Sequence, residues 1–110
     1  MTKVLVTGGA GYIGSNVCKV LLQNGLDVRV FDDFSNGLEY RLKGMDVELI
    51  RGDILDRPAL LAAMKNVDSV IHLAAKKSVE ESVEKPLKYY QNNFSGTLNV
   101  LTAMAVNNVR

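Results

Sequence analysis

Apolar and polar positions along this chain keep switching between two periods, and the switches mark out the elements. The continuous run Val4-Leu5-Val6, within residues 3–7, has the form of a parallel strand covered on both faces. A glycine cluster follows, and then a helix is predicted over residues 12–24. Ile13, Val17, Val20 and Leu21 form its apolar stripe, and Gly25 stops it. Residues 28–31 read as a second strand closed by Asp32 and Asp33, and Phe34-Ser35-Asn36-Gly37 has the turn chemistry of a loop. Residues 38–43 allow one helical turn before Gly44. A third strand spans 47–51. Asp56 is placed as a helix N-cap with Pro58 just inside, and Leu60, Leu61 and Met64 carry that helix to about residue 65. A fourth strand at 69–73 runs into the small pair Ala74-Ala75, and Ser78 with Glu81 suits a capping box over a short turn. Pro86 opens the longest helix, to about residue 106, with Leu87, Tyr90, Phe94, Leu98, Leu101 and Ala105 on one stripe.

Strands alternating with helices imply an α/β fold with a parallel sheet and right-handed crossovers. The expected strand order is 3-2-1-4, the first half of a doubly wound Rossmann fold. Its switch point lies between strands one and four, and ligands are expected at the carboxyl ends of those strands. No repeat, linker or low-complexity tract divides residues 1–110, so a single dinucleotide-binding unit is expected, ending before a fifth strand.

The glycine cluster carries the chemistry. It can be read as Gly9-x-Gly11-x-x-Gly14 or as Gly8-x-x-Gly11-x-x-Gly14. Residues without a Cβ let the chain turn sharply off a strand and let a ligand approach the backbone. The free amides at the following helix N-terminus, with the helix dipole behind them, suit a pyrophosphate. Asp32, at the end of the next strand, stands where a carboxylate would hold the adenosine ribose hydroxyls. That carboxylate would repel a 2′-phosphate, and Asp33 deepens the repulsion, which favours NAD over NADP. A solvated strand-end acid is the plainer alternative for Asp32. Asp53 and Ile54 follow strand three, where adenine would lie, the first to accept from the exocyclic amine and the second to pack on the ring. Small residues at Leu73-Ala74-Ala75 would let a dinucleotide cross the switch point. Lys77 is within reach of a ribose or phosphate oxygen, or forms a solvated pair with Lys76. Asn92 either fixes the loop at 74–77 or is a polar face residue. His72, the sole histidine, reads as a hydrogen-bonded structural imidazole, with a base or metal ligand as the alternative.

Composition narrows the field. A net charge of +1 gives no electrostatic reason for a nucleic-acid or anionic-membrane partner. Cys18 is the single cysteine, so neither an internal disulfide nor a cysteine metal cluster can form, and its surroundings suggest packing. No metal site is expected. No apolar run reaches the ~20 residues needed to span a bilayer, and no signal peptide is evident, so a cytoplasmic location is expected. A Walker loop and a Gly-x-Ser-x-Gly elbow are both absent. The residues four positions after Tyr12, Tyr40, Tyr89 and Tyr90 are Asn16, Gly44, Asn93 and Phe94, so no Tyr-x-x-x-Lys pair exists here. No catalytic residue is assigned.

With these residues in view, the chain resembles the extended short-chain dehydrogenase/reductases and, among them, the UDP-glucose 4-epimerase family. The matching blocks are Val6-Thr-Gly-Gly-Ala-Gly-Tyr-Ile-Gly-Ser15, Phe31-Asp-Asp-Phe-Ser-Asn-Gly37, Gly52-Asp-Ile54 and Val70-Ile-His-Leu-Ala-Ala75. The most specific is the stretch from Lys77 to Asn93 with its Tyr89-Tyr90-x-Asn92-Asn93 pattern. The resemblance implies NAD contacts from Gly8, Gly11, Tyr12, Ile13, Gly14, Asp32 and Asp33. It further implies them from Ser35, Asn36, Gly37, Asp53, Ile54, Leu73, Ala74, Ala75, Lys77 and Asn92. Two positions depart from the family pattern, Asp33 where Asn is common and Ala75 where Gly is common.

Family members are much longer. They continue into a fifth strand, a Tyr-x-x-x-Lys pair and a sugar-binding domain, so the resemblance implies an NAD-binding portion of a nucleotide-sugar epimerase that is inactive by itself. Two alternatives remain: a truncated or engineered half-Rossmann fragment that folds and self-associates without useful binding, and one part of a split enzyme. An unpaired fourth strand, with a last helix that the resemblance places at the subunit interface of whole epimerases, implies self-association, as a homodimer or a swapped oligomer.

Overall fold

β1 (Lys3–Thr7) is enclosed on both sides, which is why Val4, Leu5 and Val6 are all buried in one unbroken apolar run. It sits inside a four-stranded parallel sheet with β2 (Asp27–Asp32), β3 (Glu48–Arg51) and β4 (Ser69–His72), in the order β3-β2-β1-β4. The helices are α1 (Tyr12–Gln23), α2 (Arg57–Ala63) and α3 (Pro86–Asn107), with a 3-10 turn at Glu39–Leu42. The computed structural model describes residues 2–34, 39–74 and 86–109, the side chains at 39–40 and 86–94 excepted. The capping box expected at Ser78 and Glu81 lies outside the described residues.

Strand alternation divides the core into two layers. Val4, Val6, Val28 and Val30 point to one face and pack with Cys18 of α1 and Leu42 of the 3-10 turn. Leu5 and Phe31 point to the other and meet Leu60, Ala63 and Met64 around α2, and Val100 and Ala103 of α3. Parallel register sets Thr7 beside Phe31 on one flank and His72 on the other, while Asp32 pairs with Arg51. The carboxyl ends of β1, β2 and β4 therefore finish level, where the glycine turn begins.

Leu60 and Met64 are buried as expected and Leu21 packs on the core, but other stripe positions differ from the sequence expectation. α1 buries Gly14, Ser15 and Cys18, while Ile13 and Val20 of the expected stripe are exposed. α3 turns Gly96, Asn99, Val100 and Ala103 inward, and Leu98, Leu101 and Ala105 outward. On α2, Ala63 is buried and Leu61 lies at the surface. Close approach to a sheet selects small side chains at the contact, and bulk is displaced to the flanks. Over residues 98–105 the apolar stripe of α3 is thus an outer face, and the side chains of Leu87, Tyr90 and Phe94 lie outside those described. No described helix is long and apolar enough to cross a membrane.

A buried cation in β2 ties the sheet to α2. The Arg29 Nη1 donates to the carbonyls of Ala63 (2.6 Å) and Lys65 (2.9 Å), and its Nε donates to Glu48 Oε2 at 2.8 Å. The guanidinium thereby satisfies carbonyls left over at the end of α2. Opposite, the Asp56 carboxylate accepts from the Ala59 amide at 3.3 Å and caps the start of that helix.

Candidate functional site

The turn after β1 is built by absence of side chains. Gly8 has φ +75, a left-handed conformation, and a Cβ there would lie 2.8 Å from the Ala74 nitrogen. At Gly14 a Cβ would collide with the Gly8 carbonyl oxygen, so only glycine lets the first turn of α1 close on the strand end. Two backbone bonds set the turn: the Gly8 amide donates to Phe31 O at 2.9 Å, and the Gly11 amide to Gly8 O at 3.1 Å. Gly11 is the N-cap of α1 and no side chain caps that helix, so its first turn presents amides to whatever lies in front. Tyr12 and Ile13, 74% and 56% exposed, flank the same opening.

Asp32 sits 6% exposed at the end of β2, and both its oxygens are engaged. One accepts from the Ala10 amide at 2.9 Å and the other from the Phe34 amide at 2.7 Å. Each carboxylate oxygen has a further lone pair, so acceptor capacity remains. Phe34 adopts φ 64, and the Arg51 guanidinium stacks 4.4 Å above its ring. Arg41 reaches the Ala10 carbonyl with Nη1 at 3.5 Å. Asp33, next along, is exposed.

The opposite wall is the end of β4. Thr7, fully buried, accepts at Oγ1 from the amides of Leu73 (3.0 Å) and Ala74 (3.2 Å) and contacts His72 Nδ1 at 2.6 Å. His72 Nε2 meets Thr97 Oγ1 at 3.2 Å. Burial holds the imidazole below its ordinary pKa of 6.5. The structural reading of this histidine therefore fits its surroundings.

Asp53 and Ile54 are placed by local bonds. Asp53 Oδ1 accepts from the Leu55 amide at 2.9 Å. The Ile54 side chain packs over Gly96 of α3, and its carbonyl accepts from Asn99 Nδ2 at 3.0 Å. Ser35, Asn36, Gly37, Ala75 and Lys77 lie outside the described residues, as does the side chain of Asn92. The described candidates otherwise gather at one end of the sheet. Cys18 packs beneath the turn, and burial pushes its thiol up to about 11. Sequence reasoning passed over Thr7, Arg41 and Arg51. Only Thr7, adjoining the glycine cluster, offered a signal through its position.

Residues 4–110 match the NAD dependent epimerase/dehydratase family. The chain belongs to that family. It is 48% identical over 116 aligned residues to the UDP-glucose 4-epimerase uge1 of Schizosaccharomyces pombe, covering 97% of this chain and 32% of that relative. Its fold superimposes with a TM-score of 0.93 on UDP-glucose-4-epimerase from Stenotrophomonas maltophila, whose crystal structure holds NAD and formylated UDP-arabinopyranose. That pair shares 40% identity over all of this chain and 35% of the other. The UDP-glucose 4-epimerase of Brucella ovis, in complex with NAD, gives 0.92 at 39% identity, over all of this chain and 34% of its own. The chain thus spans about a third of the length of these three relatives. The family is NAD dependent by its description, in accord with the cofactor expected from the glycine cluster and Asp32. The likeness to UDP-glucose 4-epimerases and the 3-2-1-4 sheet both agree with the sequence reading.

Proposed function

We propose that this chain binds NAD, as the nucleotide-binding portion of a UDP-glucose 4-epimerase-like nucleotide-sugar epimerase. The observation that carries the reading is the cradle between Gly8, Gly14 and Asp32. A Cβ at Gly8 would meet the Leu73–Ala74 backbone and one at Gly14 the Gly8 backbone, so the turn closes only with glycine, and a buried carboxylate at its edge keeps acceptor capacity. The open amides of α1 would take the pyrophosphate and Asp32 the adenosine ribose, with Tyr12 and Ile13 at the rim. Gly11, Asp33, Ser35, Asn36, Gly37, Asp53, Ile54, Leu73, Ala74, Ala75, Lys77 and Asn92 complete the proposed contact set. NAD, when bound, supplies the hydride acceptor. The protein's part in this chain is to bind it, orient it and exclude a 2′-phosphate. The 110 residues contain no Tyr-x-x-x-Lys pair, so no epimerisation is expected from them alone.

A calorimetric titration with NAD, and with NADP as control, tests the reading. Saturable heat with NAD and none with NADP is expected. Silence with NAD at millimolar concentration, or equal response to both, contradicts it.

Self-association through the outer face of α3 or the edge of β4 forms the second part of the proposal, and a cytoplasmic location the third. Leu98, Leu101 and Val106 stand exposed along α3. β4 is an edge strand of the described sheet. Light scattering should return at least a dimeric mass at high micromolar concentration, and Leu101→Glu should lower it if α3 is the contact. A monomeric mass for the unaltered chain rejects self-association.

A further inference from the structure

The wall of the cradle facing Gly8 is held by a chain of three side chains. Thr7 Oγ1 accepts from the Ala74 amide and shares the Leu73 amide with the Thr7 carbonyl oxygen, which takes it at 2.9 Å, and its one proton is left for His72 Nδ1. With the hydroxyl as donor, Nδ1 is the acceptor and carries no proton. The ring proton sits on Nε2 and is donated to Thr97 Oγ1 at 3.2 Å. One neutral tautomer thus bridges β1, β4 and α3. The backbone fixed in this way is the one closest to the turn, since a Cβ on Gly8 would lie 2.8 Å from the Ala74 nitrogen and 2.9 Å from the Leu73 carbonyl carbon.

We propose that His72 is a positioning residue. Its neutral ring fixes the Thr7 hydroxyl, and through it the Ala74 end of the wall, so that protonating the ring loosens that end and weakens NAD binding. A proton on Nδ1 would face the Thr7 hydroxyl proton, and Thr7 could turn away only by giving up an amide. This inference rests on the NAD-binding reading above.

Among the described residues, the charged groups named below on the elements around the ring are engaged elsewhere. Asp32 on β2 accepts from Ala10 and Phe34. At the β3–α2 connection, Asp53 accepts from Leu55, and Arg57 Nε donates to Asn99. Lys3 and Asp68 lie at the far ends of β1 and β4, where the Lys3 amide bonds the Asp68 carboxylate. α3 offers Thr97 and carries no charged residue from 95 to 107. Burial, which disfavours the imidazolium, acts in the same direction as the geometry.

His72 is the only histidine, so its ring signal can be followed alone by NMR. Without NAD, the Ala74 amide should lose protection from exchange as His72 titrates, while the Leu73 amide keeps its bond to the Thr7 carbonyl. With NAD, its midpoint should fall by about one pH unit if the neutral ring binds about tenfold tighter, the scale of one hydrogen bond. His72→Asn keeps an acceptor near Thr7 without a titrating ring, and should bind NAD as tightly as the wild type at pH 7.5 with no weakening towards pH 5.5. His72→Leu should bind about tenfold more weakly at either pH, by the same single-bond scale. NAD binding with an unmoved His72 midpoint overturns the inference, as does an Ala74 amide whose protection ignores the titration. If NAD leaves the amides of residues 8–14 unshifted, the cofactor reading fails instead. The exchange measurement then still decides whether His72 holds the wall.

Discussion

Asp32 Oδ2 lies 2.9 Å from the backbone nitrogen of Ala10, joining the end of β2 to the middle of the glycine turn. Its partner oxygen takes the Phe34 amide, so one buried carboxylate orders the peptide groups on both sides of the cradle. Removing it leaves two amides without acceptors. Asp32→Ala should cost about 2–4 kcal/mol in urea denaturation, from two charge-assisted bonds at their usual strength. Asp32→Asn keeps one acceptor oxygen and should lose about half as much. A loss within experimental error for the alanine variant would mean that the carboxylate does not hold the turn.

Gly14→Ala separates binding from folding. Its Cβ would collide with the Gly8 carbonyl oxygen, so the turn must open while the sheet behind it is untouched. The far-ultraviolet circular dichroism should stay that of an α/β protein, with about 1–3 kcal/mol of stability lost to overpacking. NAD affinity should fall at least tenfold. Full affinity in this variant would show that the turn does not need its closed form.

The architecture was legible because strand and helix periods do not overlap. Val4-Leu5-Val6 announced a doubly covered strand, Asp56 with Pro58 announced a helix start, and the expected order 3-2-1-4 is the order found. Helix faces were misjudged because the periodicity of large apolar residues was taken as the contact. On α1 and α3 the buried positions include Gly14 against the turn, Gly96 against Ile54, and Cys18 and Ala103 in the core, while Ile13, Val20, Leu98 and Leu101 face outward. In the cradle, Asp32 was read for its charge towards a ribose, and its amide bonds to Ala10 and Phe34 depend on a loop conformation no local pattern records. Thr7 was read as the last residue of a strand. Its role needs the register with His72, 65 residues away, which only the folded sheet supplies.

Acid should weaken the β2–β3–α2 junction. Glu48's carboxyl is held below its ordinary 4.5, first by the hydrogen bond from Arg29 and further by Arg29 and Lys3 charge. A depressed folded-state pKa gives stability that is complete above the unfolded value of 4.5 and lost as pH falls through the folded one. Glu48 is largely exposed, so the contribution is small, about 0.5 kcal/mol after solvent screening. Glu48→Gln should flatten that part of the urea-midpoint profile between pH 6 and 3. Arg29→Met, which also strands the Ala63 and Lys65 carbonyls, should cost about 3 kcal/mol at every pH. An unchanged acid slope in Glu48→Gln would remove the pair from the account.

Cys18 should be silent towards thiol reagents in the folded chain. Its side chain is fully buried and its pKa is raised to about 11. Thiolate is therefore scarce near pH 8 and sterically shielded. Reaction with a disulfide reagent should occur only at the rate of unfolding, and accelerate with urea. Rapid stoichiometric labelling in native buffer would place the α1 contact elsewhere.

One end of this sheet is proposed as an NAD cradle built on Gly8, Gly14 and Asp32. Mapping backbone amide shifts during an NAD titration tests it most directly. The account predicts saturable shifts at residues 8–14, at Asp32 and Phe34, and at Leu73 and Ala74. It predicts silence at the opposite end, around Lys19, Gln23 and Asp46. Shifts centred on that opposite end, or none anywhere at millimolar NAD, would contradict it.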